Sequence, residues 1–207
     1  MSPRVSKQHK ELRRANILAA AKKVFIQIGY ERTTMKHIMD EANVSRGGLY
    51  QYFSNKEAVF EALLEEDLND ELEDTASLLV EQVDSYWDLL LWSIFGESKT
   101  PNDDMDELSP SKLEFFITGR HNAHRRTYGE TRYQNGLKIY QDIIEAGQKN
   151  GEFSSRFPSN LIARTIVTFI DGTALEHAIL PAEILKLADQ NRLFFDYIKA
   201  ALEVKES

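Results

Sequence analysis

The sequence predicts an all-α protein of about nine helices, a small N-terminal head followed by a larger helical body. Three observations predict it. Apolar residues recur every three or four positions along most of the chain. Sustained period-two alternation, the mark of a half-buried strand, is missing. The apolar stripes are punctuated by helix start and stop residues: Gly29, the Ser54-x-x-Glu57 pair, Ser109-Pro110, Gly151 and Pro181. The composition, 42% hydrophobic and 28% charged over 207 residues, suits a packed core rather than a disordered chain.

Taken in order, Ile17, Ala21, Val24 and Ile28 make the first stripe, ended by Gly29. Met35, Ile38 and Ala42 make a short second helix over about residues 35–42. Leu49 and Phe53 make a third over about 46–53. Ser54 and Glu57 read as a capping box that opens a longer helix through Phe60, Leu63, Leu64, Leu68 and Leu72. Val83, Trp87, Leu90, Leu91 and Ile94 precede Gly96, and residues 97–109 are a polar, acidic connection. Proline at the first helical position starts a helix at Ser109-Pro110. Tyr133, Leu137, Tyr140 and Ile144 form the next stripe. The helix from Ser159 is apolar on most faces and is expected to be buried on several sides. After Pro181, a last amphipathic helix runs over about 183–203.

The chain contains no cysteine, which excludes disulfides, thiolate metal sites and a thiol nucleophile. No apolar run reaches the roughly 18 residues of a membrane span, and no secretory signal opens the chain, so a cytoplasmic address is expected. The net charge of −8 is unevenly spread. Residues 1–60 hold 11 Lys/Arg against 5 Asp/Glu, whereas the remainder holds 14 against 28. A basic head on an acidic body points to a localised surface for a polyanion.

Residues 30–60 sharpen that reading. Asn43-Val44-Ser45 joins the two short helices, the length of a helix-turn-helix joint. Asn43 tolerates the left-handed conformation such a turn needs, and Ser45 suits the cap of the second helix. That helix begins Arg46-Gly47-Gly48, although each helical glycine costs about 1 kcal/mol relative to alanine. Two glycines there make sense where another surface must approach closely, as base edges approach the start of a recognition helix. Arg46 has the fork for a guanine, Gln51 the amide for an adenine or a phosphate, and Tyr50 and Tyr52 hydroxyls for phosphate. Thr33, Thr34 and Lys36 open the first short helix and Lys56 the fourth, both ends that favour an anion.

The run Gly29-Tyr30-(x)2-Thr33-Thr34-Met35-(x)2-Ile38, then Ala42-(x)-Val44-Ser45-Arg46-Gly47-(x)-Leu49-Tyr50-(x)-Tyr52-Phe53-(x)2-Lys56-Glu57, resembles the TetR family of transcriptional regulators. The match covers about residues 10–60. The resemblance implies a helix-turn-helix DNA-binding head over residues 1–56 and an effector-binding and dimerisation body over 57–207. It implies a homodimer on an inverted-repeat DNA operator, released by a small-molecule effector. Thr34, Tyr50, Tyr52 and Lys56 match phosphate-contacting positions, and Arg46, Gly48 and Gln51 the base-reading region. Many members carry a side chain where this chain has Gly48, which leaves more of the reading to Arg46 and Gln51. The last two helices, about 160–178 and 183–203, correspond to the dimer helices.

In the body, Trp92, Phe95, Phe115, Phe116, Tyr140, Phe169 and His177 are the candidate effector contacts, since pockets are mostly apolar and aromatic with a few polar groups. His121 and His124 lie three apart, but Arg120, Arg125 and Arg126 flank them and oppose a cation, so no metal or other cofactor is expected. An enzyme is disfavoured: the chain has no G-x-S-x-G, no phosphate loop, no H-E-x-x-H and no Glu-x-x-His. The competing reading is a helical protein-interaction module whose head has lost DNA binding.

Overall fold

The computed structural model describes residues 7–80, 83–103 and 105–204. These residues are helical throughout, without a strand among them. The elements are α1 (Lys7–Ile28), α2 (Met35–Ala42), α3 (Arg46–Tyr50), α4 (Lys56–Val80), α5 (Tyr86–Phe95), α6 (Ser109–Thr118), α7 (Ala123–Asn150), α8 (Ser159–Ile179), α9 (Ala182–Leu185) and α10 (Leu187–Leu202). Single 3₁₀ turns follow α5 at Gly96–Ser98 and α6 at Gly119–His121.

The chain forms two compact units. One holds residues through Asp67 together with Glu107–Gly119; the other holds Leu68–Asp106 and the residues from Arg120 onward. The first unit therefore runs past residue 56 and takes in α6, which is distant in sequence. Its core is aromatic at the centre. Phe25, Tyr30, Phe60 and Phe115 are fully buried, with ring centroids 4.7–5.9 Å apart in stacked, tilted and edge-on pairs. Ile17, Leu18, Ile38, Leu49 and Leu64 of the same unit are also buried. Phe115 anchors α6 there, and Ser111 Oγ donates to the Phe25 carbonyl at 2.7 Å.

Four local endings differ from the sequence expectation, each for a visible reason. The cap of α4 is Asn55, whose Oδ1 accepts from Ala58 N at 2.8 Å, so the helix starts one residue later than a Ser54 cap would set it. Regular helix in α3 stops at Tyr50, beyond which Tyr52 N bonds the Leu49 carbonyl three residues back at 3.0 Å, a tighter turn than the α-helix's. The α5 helix begins at Tyr86, capped by Ser85. The last helix is broken at Lys186, which is left-handed (φ 48°). Leu185 and Leu187 flank it and are both buried. Two residues apart on one continuous helix they would point about 200° apart; the break lets both reach the core.

The second unit is a helical layer packing around Leu89, Leu90, Leu137, Ile143, Ile144, Ile162, Ala163, Ile166, Phe194 and Ile198. Helices α5 and α8 both pack on α7, and α10 packs on α8. Phe169 stacks on Phe194 with centroids 3.8 Å apart. Two helix starts are capped from afar. The Glu152 carboxylate accepts from Tyr86 N, Trp87 N and Ser85 Oγ, each at 2.8 Å. The Asp103 carboxylate accepts from Ala188 N at 2.7 Å, serving α10 where Lys186 offers no side-chain cap.

Candidate nucleic-acid interface

The α2–turn–α3 segment is built from local caps. Thr34 caps α2, its Oγ1 accepting from His37 N at 3.3 Å. Asn43 follows α2 in the left-handed conformation (φ 50°, ψ 49°), which turns the chain. Ser45 then caps α3, its Oγ accepting from Gly48 N at 3.1 Å. Val44 is half-buried, and Ile38 and Leu49 are completely buried, so each helix turns its apolar side inward. Once those three are used up inside, the polar residues of the pair are left outside.

Thr34, Lys36, Ser45, Arg46, Gly47, Tyr50 and Gln51 are exposed, and Gly48, Tyr52 and Lys56 are half-buried. Arg46 lies over the Tyr50 ring, its guanidinium carbon 5.5 Å from the centroid. A side-chain atom added at Gly47 would meet nothing within 4 Å, so that turn of α3 is open to an approaching surface. Gly48 differs: a Cβ there would come within 3.2 Å of Ser45 Oγ and 3.3 Å of Arg13 Nη2.

Two residues of the expected set have interior roles. Thr33 is buried, and its hydroxyl donates to the Gly29 carbonyl at 2.6 Å. Lys56 Nζ donates to the carbonyls of Tyr30 and Glu31 at 2.6 and 3.1 Å and lies 4.3 Å from the Tyr30 ring centroid. Both hold the turn that precedes α2. The same turn is fastened from α6: Glu31 N donates to Glu114 Oε2 at 2.9 Å, and Thr118 Oγ1 donates to Glu31 Oε1 at 2.7 Å. Sequence reasoning missed Glu114 because nothing local in residues 109–118 points 83 residues back along the chain.

The candidate effector residues are not all in one place. Phe115 belongs to the aromatic centre of the first unit, with Phe116 against it at 5.1 Å. Trp92, Phe95, Tyr140, Phe169 and His177 belong to the second unit and are half-buried. The Tyr140 hydroxyl points to the Ser93 carbonyl at 3.5 Å. Burial, reinforced by the Glu71 and Asp171 carboxylates, pushes its pKa up, so the phenol keeps its proton at any physiological pH. His121 and His124 do not share a helix, because Asn122 caps α7 between them.

Comparison with known proteins agrees with this geometry. The profile of bacterial regulatory proteins of the tetR family matches residues 17–63. That of the tetracyclin repressor-like C-terminal domain matches residues 97–188. The helix-turn-helix transcriptional regulator YfiR of Bacillus subtilis is 34% identical over 209 residues, spanning the whole of both chains. The chain belongs to the TetR family. The regulator is thus a helix-turn-helix transcription factor, and its all-helical fold is the family's. Among solved structures, SmeT in complex with triclosan superposes with a TM-score of 0.74 at 22% identity, covering 95% of this chain and 93% of that one. FadR of Bacillus subtilis in complex with stearoyl-CoA superposes with a TM-score of 0.66 at 20% identity, covering 90% and 98%. The family binds DNA operators as dimers and responds to small molecules. Among the described residues no helix is long and apolar enough to cross a membrane.

Proposed function

We propose that this regulator is a cytoplasmic repressor that binds an inverted-repeat operator as a homodimer and leaves it when a small molecule binds the second unit. The observation that carries the reading is the capped α2–turn–α3 pair, with Arg46, Tyr50 and Gln51 exposed on α3 beside the open Gly47. On this reading Arg46 and Gln51 read bases, Tyr50, Tyr52, Thr34, Lys36 and Lys56 hold phosphates, and Ser45 with Gly47 and Gly48 lets the backbone come close. Thr33 acts from inside, by fixing the turn before α2.

The dimer is assigned to α8 and α10. Their outward faces expose Leu161, Leu175, Ile179, Leu193 and Tyr197, and Ile184 lies between them on α9. So many large apolar side chains on adjoining elements favour a covered face. The effector is assigned to the second unit, where Trp92, Phe95, Tyr140, Phe169 and His177 offer aromatic surface and few polar groups. SmeT and FadR, which share the fold, are known with triclosan and with stearoyl-CoA. Release follows if the effector binds more tightly to a dimer whose heads are spaced wrongly for the operator. Helix α4, which contributes to both units, carries the change.

Selection of genomic fragments by the purified protein, at low and moderate salt, tests the reading. Enrichment of an inverted repeat that survives moderate salt is expected. Salt-sensitive binding without any enriched sequence overturns it in favour of a degenerate head. On the enriched site, Tyr50→Ala is expected to weaken all sequences alike, and Arg46→Ala to relax one position of each half-site by about 1–3 kcal/mol. Equal loss across all sequences in both variants would refute that division of roles.

A further inference from the structure

We infer that Arg13, on α1, is a specificity-determining residue of the DNA-binding face, supplying the base-reading side chain that α3 lacks at Gly48. The inference rests on the operator-binding reading and adds to it a residue outside the helix-turn-helix.

Three observations meet at this point. The first is place. Arg13 Nη2 lies 3.3 Å from where a Cβ at Gly48 would stand, so the guanidinium lies directly beside the position from which a residue-48 side chain would start. Residues at the start of a recognition helix meet base edges, and here two of them, Gly47 and Gly48, carry no side-chain donor. The second is the absence of a competing partner. Along α1, Lys7 pairs with Glu11, Arg14 with Glu66, Lys22 with Asp67 and Lys23 with Glu41. Arg13 makes no ion pair or hydrogen bond with the described residues, and its side chain is exposed. The third is charge. The exposed Arg13 guanidinium reaches Gly48 on the helix that also carries exposed Arg46, so two cations share this face. A polyanion across that face favours the arrangement.

The planar fork of arginine matches guanine N7 and O6 bidentately, and the ammonium of a lysine does not. Gly48 then has a specific purpose: any side chain there crowds both Arg13 and the capping Ser45 Oγ.

The test uses the full-length protein and the duplex enriched by genomic selection, with every base pair of one half-site substituted in turn. Wild type, Arg13→Ala, Arg13→Lys and Gly48→Ser are compared by fluorescence anisotropy, each first checked by its thermal melt. Arg13→Ala is expected to lose discrimination at one G·C pair of each half-site by about ten- to a hundred-fold, leaving the other positions ranked as before. Arg13→Lys should keep most of the overall affinity and still lose that preference. Gly48→Ser should reproduce the loss by displacing the guanidinium. Unchanged preference at every position in Arg13→Ala overturns the inference, as does a uniform loss with a shallower salt dependence, which would make Arg13 a phosphate contact. Should wild type enrich no sequence at all, the operator-binding reading falls and this inference with it.

Discussion

Gly136 and Gly147 lie on the same helix, yet an added methyl group meets opposite surroundings. At Gly136 nothing stands within 4 Å, so Gly136→Ala is expected to raise stability by up to about 1 kcal/mol through helix propensity alone. At Gly147 the added carbon falls 2.3 Å from the buried Phe153 ring. Overpacking of that kind costs about 1–3 kcal/mol and outweighs the propensity gain, so Gly147→Ala should lower the melting temperature. Thermal melts of the two variants check both signs; a rise in each would show that the Phe153 ring yields. Lys56 illustrates a different residue-scale lesson. Its ammonium holds the Tyr30 and Glu31 carbonyls, so Lys56→Ala disturbs the turn before α2 as well as any phosphate contact. Tyr50, exposed on α3, is the cleaner probe of phosphate binding. Asn43 and Ser45 were legible from the sequence because their work is done within three residues, whereas Thr34, read there as a phosphate contact, also caps α2.

Helix ends capped by distant acids were not legible. Glu152 lies 66 residues from Tyr86, yet it is the carboxylate that collects the first amides of α5. Glu152→Ala is expected to cost about 1 kcal/mol and to speed amide exchange at Tyr86 and Trp87, while α1–α3 exchange stays unchanged. Unaltered exchange at those two amides would show that Ser85 alone suffices. Glu145 gives a pH-dependent counterpart. Hydrogen bonds from Gln141 (2.8 Å) and Ser159 (3.0 Å) hold its carboxyl below the usual range. A lowered folded pKa contributes stability above the unfolded value and loses it as the pH falls through the folded one, so this contribution fades below about pH 4. Glu145→Gln should therefore flatten the fall in melting temperature between about pH 5 and 3. Because the carboxylate is partly exposed, solvent screening keeps the effect small.

At the scale of the whole molecule, the unburied apolar face is the largest feature the single chain leaves unexplained. Ile179 and Ile184 are 68% and 65% exposed, values costly for isoleucine unless a partner covers them. Ile179→Glu and Leu193→Glu are expected to convert a dimer to a monomer in sedimentation at micromolar concentration. The helical circular dichroism should be preserved, since neither side chain supports the core of its own chain. A dimer that persists in both variants would move the interface elsewhere. The monomer should also lose its preference for an inverted repeat over a single half-site, because two heads are needed to read both halves.

Periodicity, capping chemistry and one dense motif were enough to determine an all-helical chain, a helix-turn-helix over about residues 35–53 and membership in a DNA-binding family. Each of those signals is local: a turn, a cap or a stripe is complete within about ten residues. Only the tertiary structure decided the rest. It placed Phe115 and α6 with the N-terminal unit, buried Thr33, broke the last helix at Lys186 and brought Arg13 against Gly48. The physical reason is common to all four. Each outcome depends on which residues the folded chain buries or brings side by side, which the pattern of a single helix does not record.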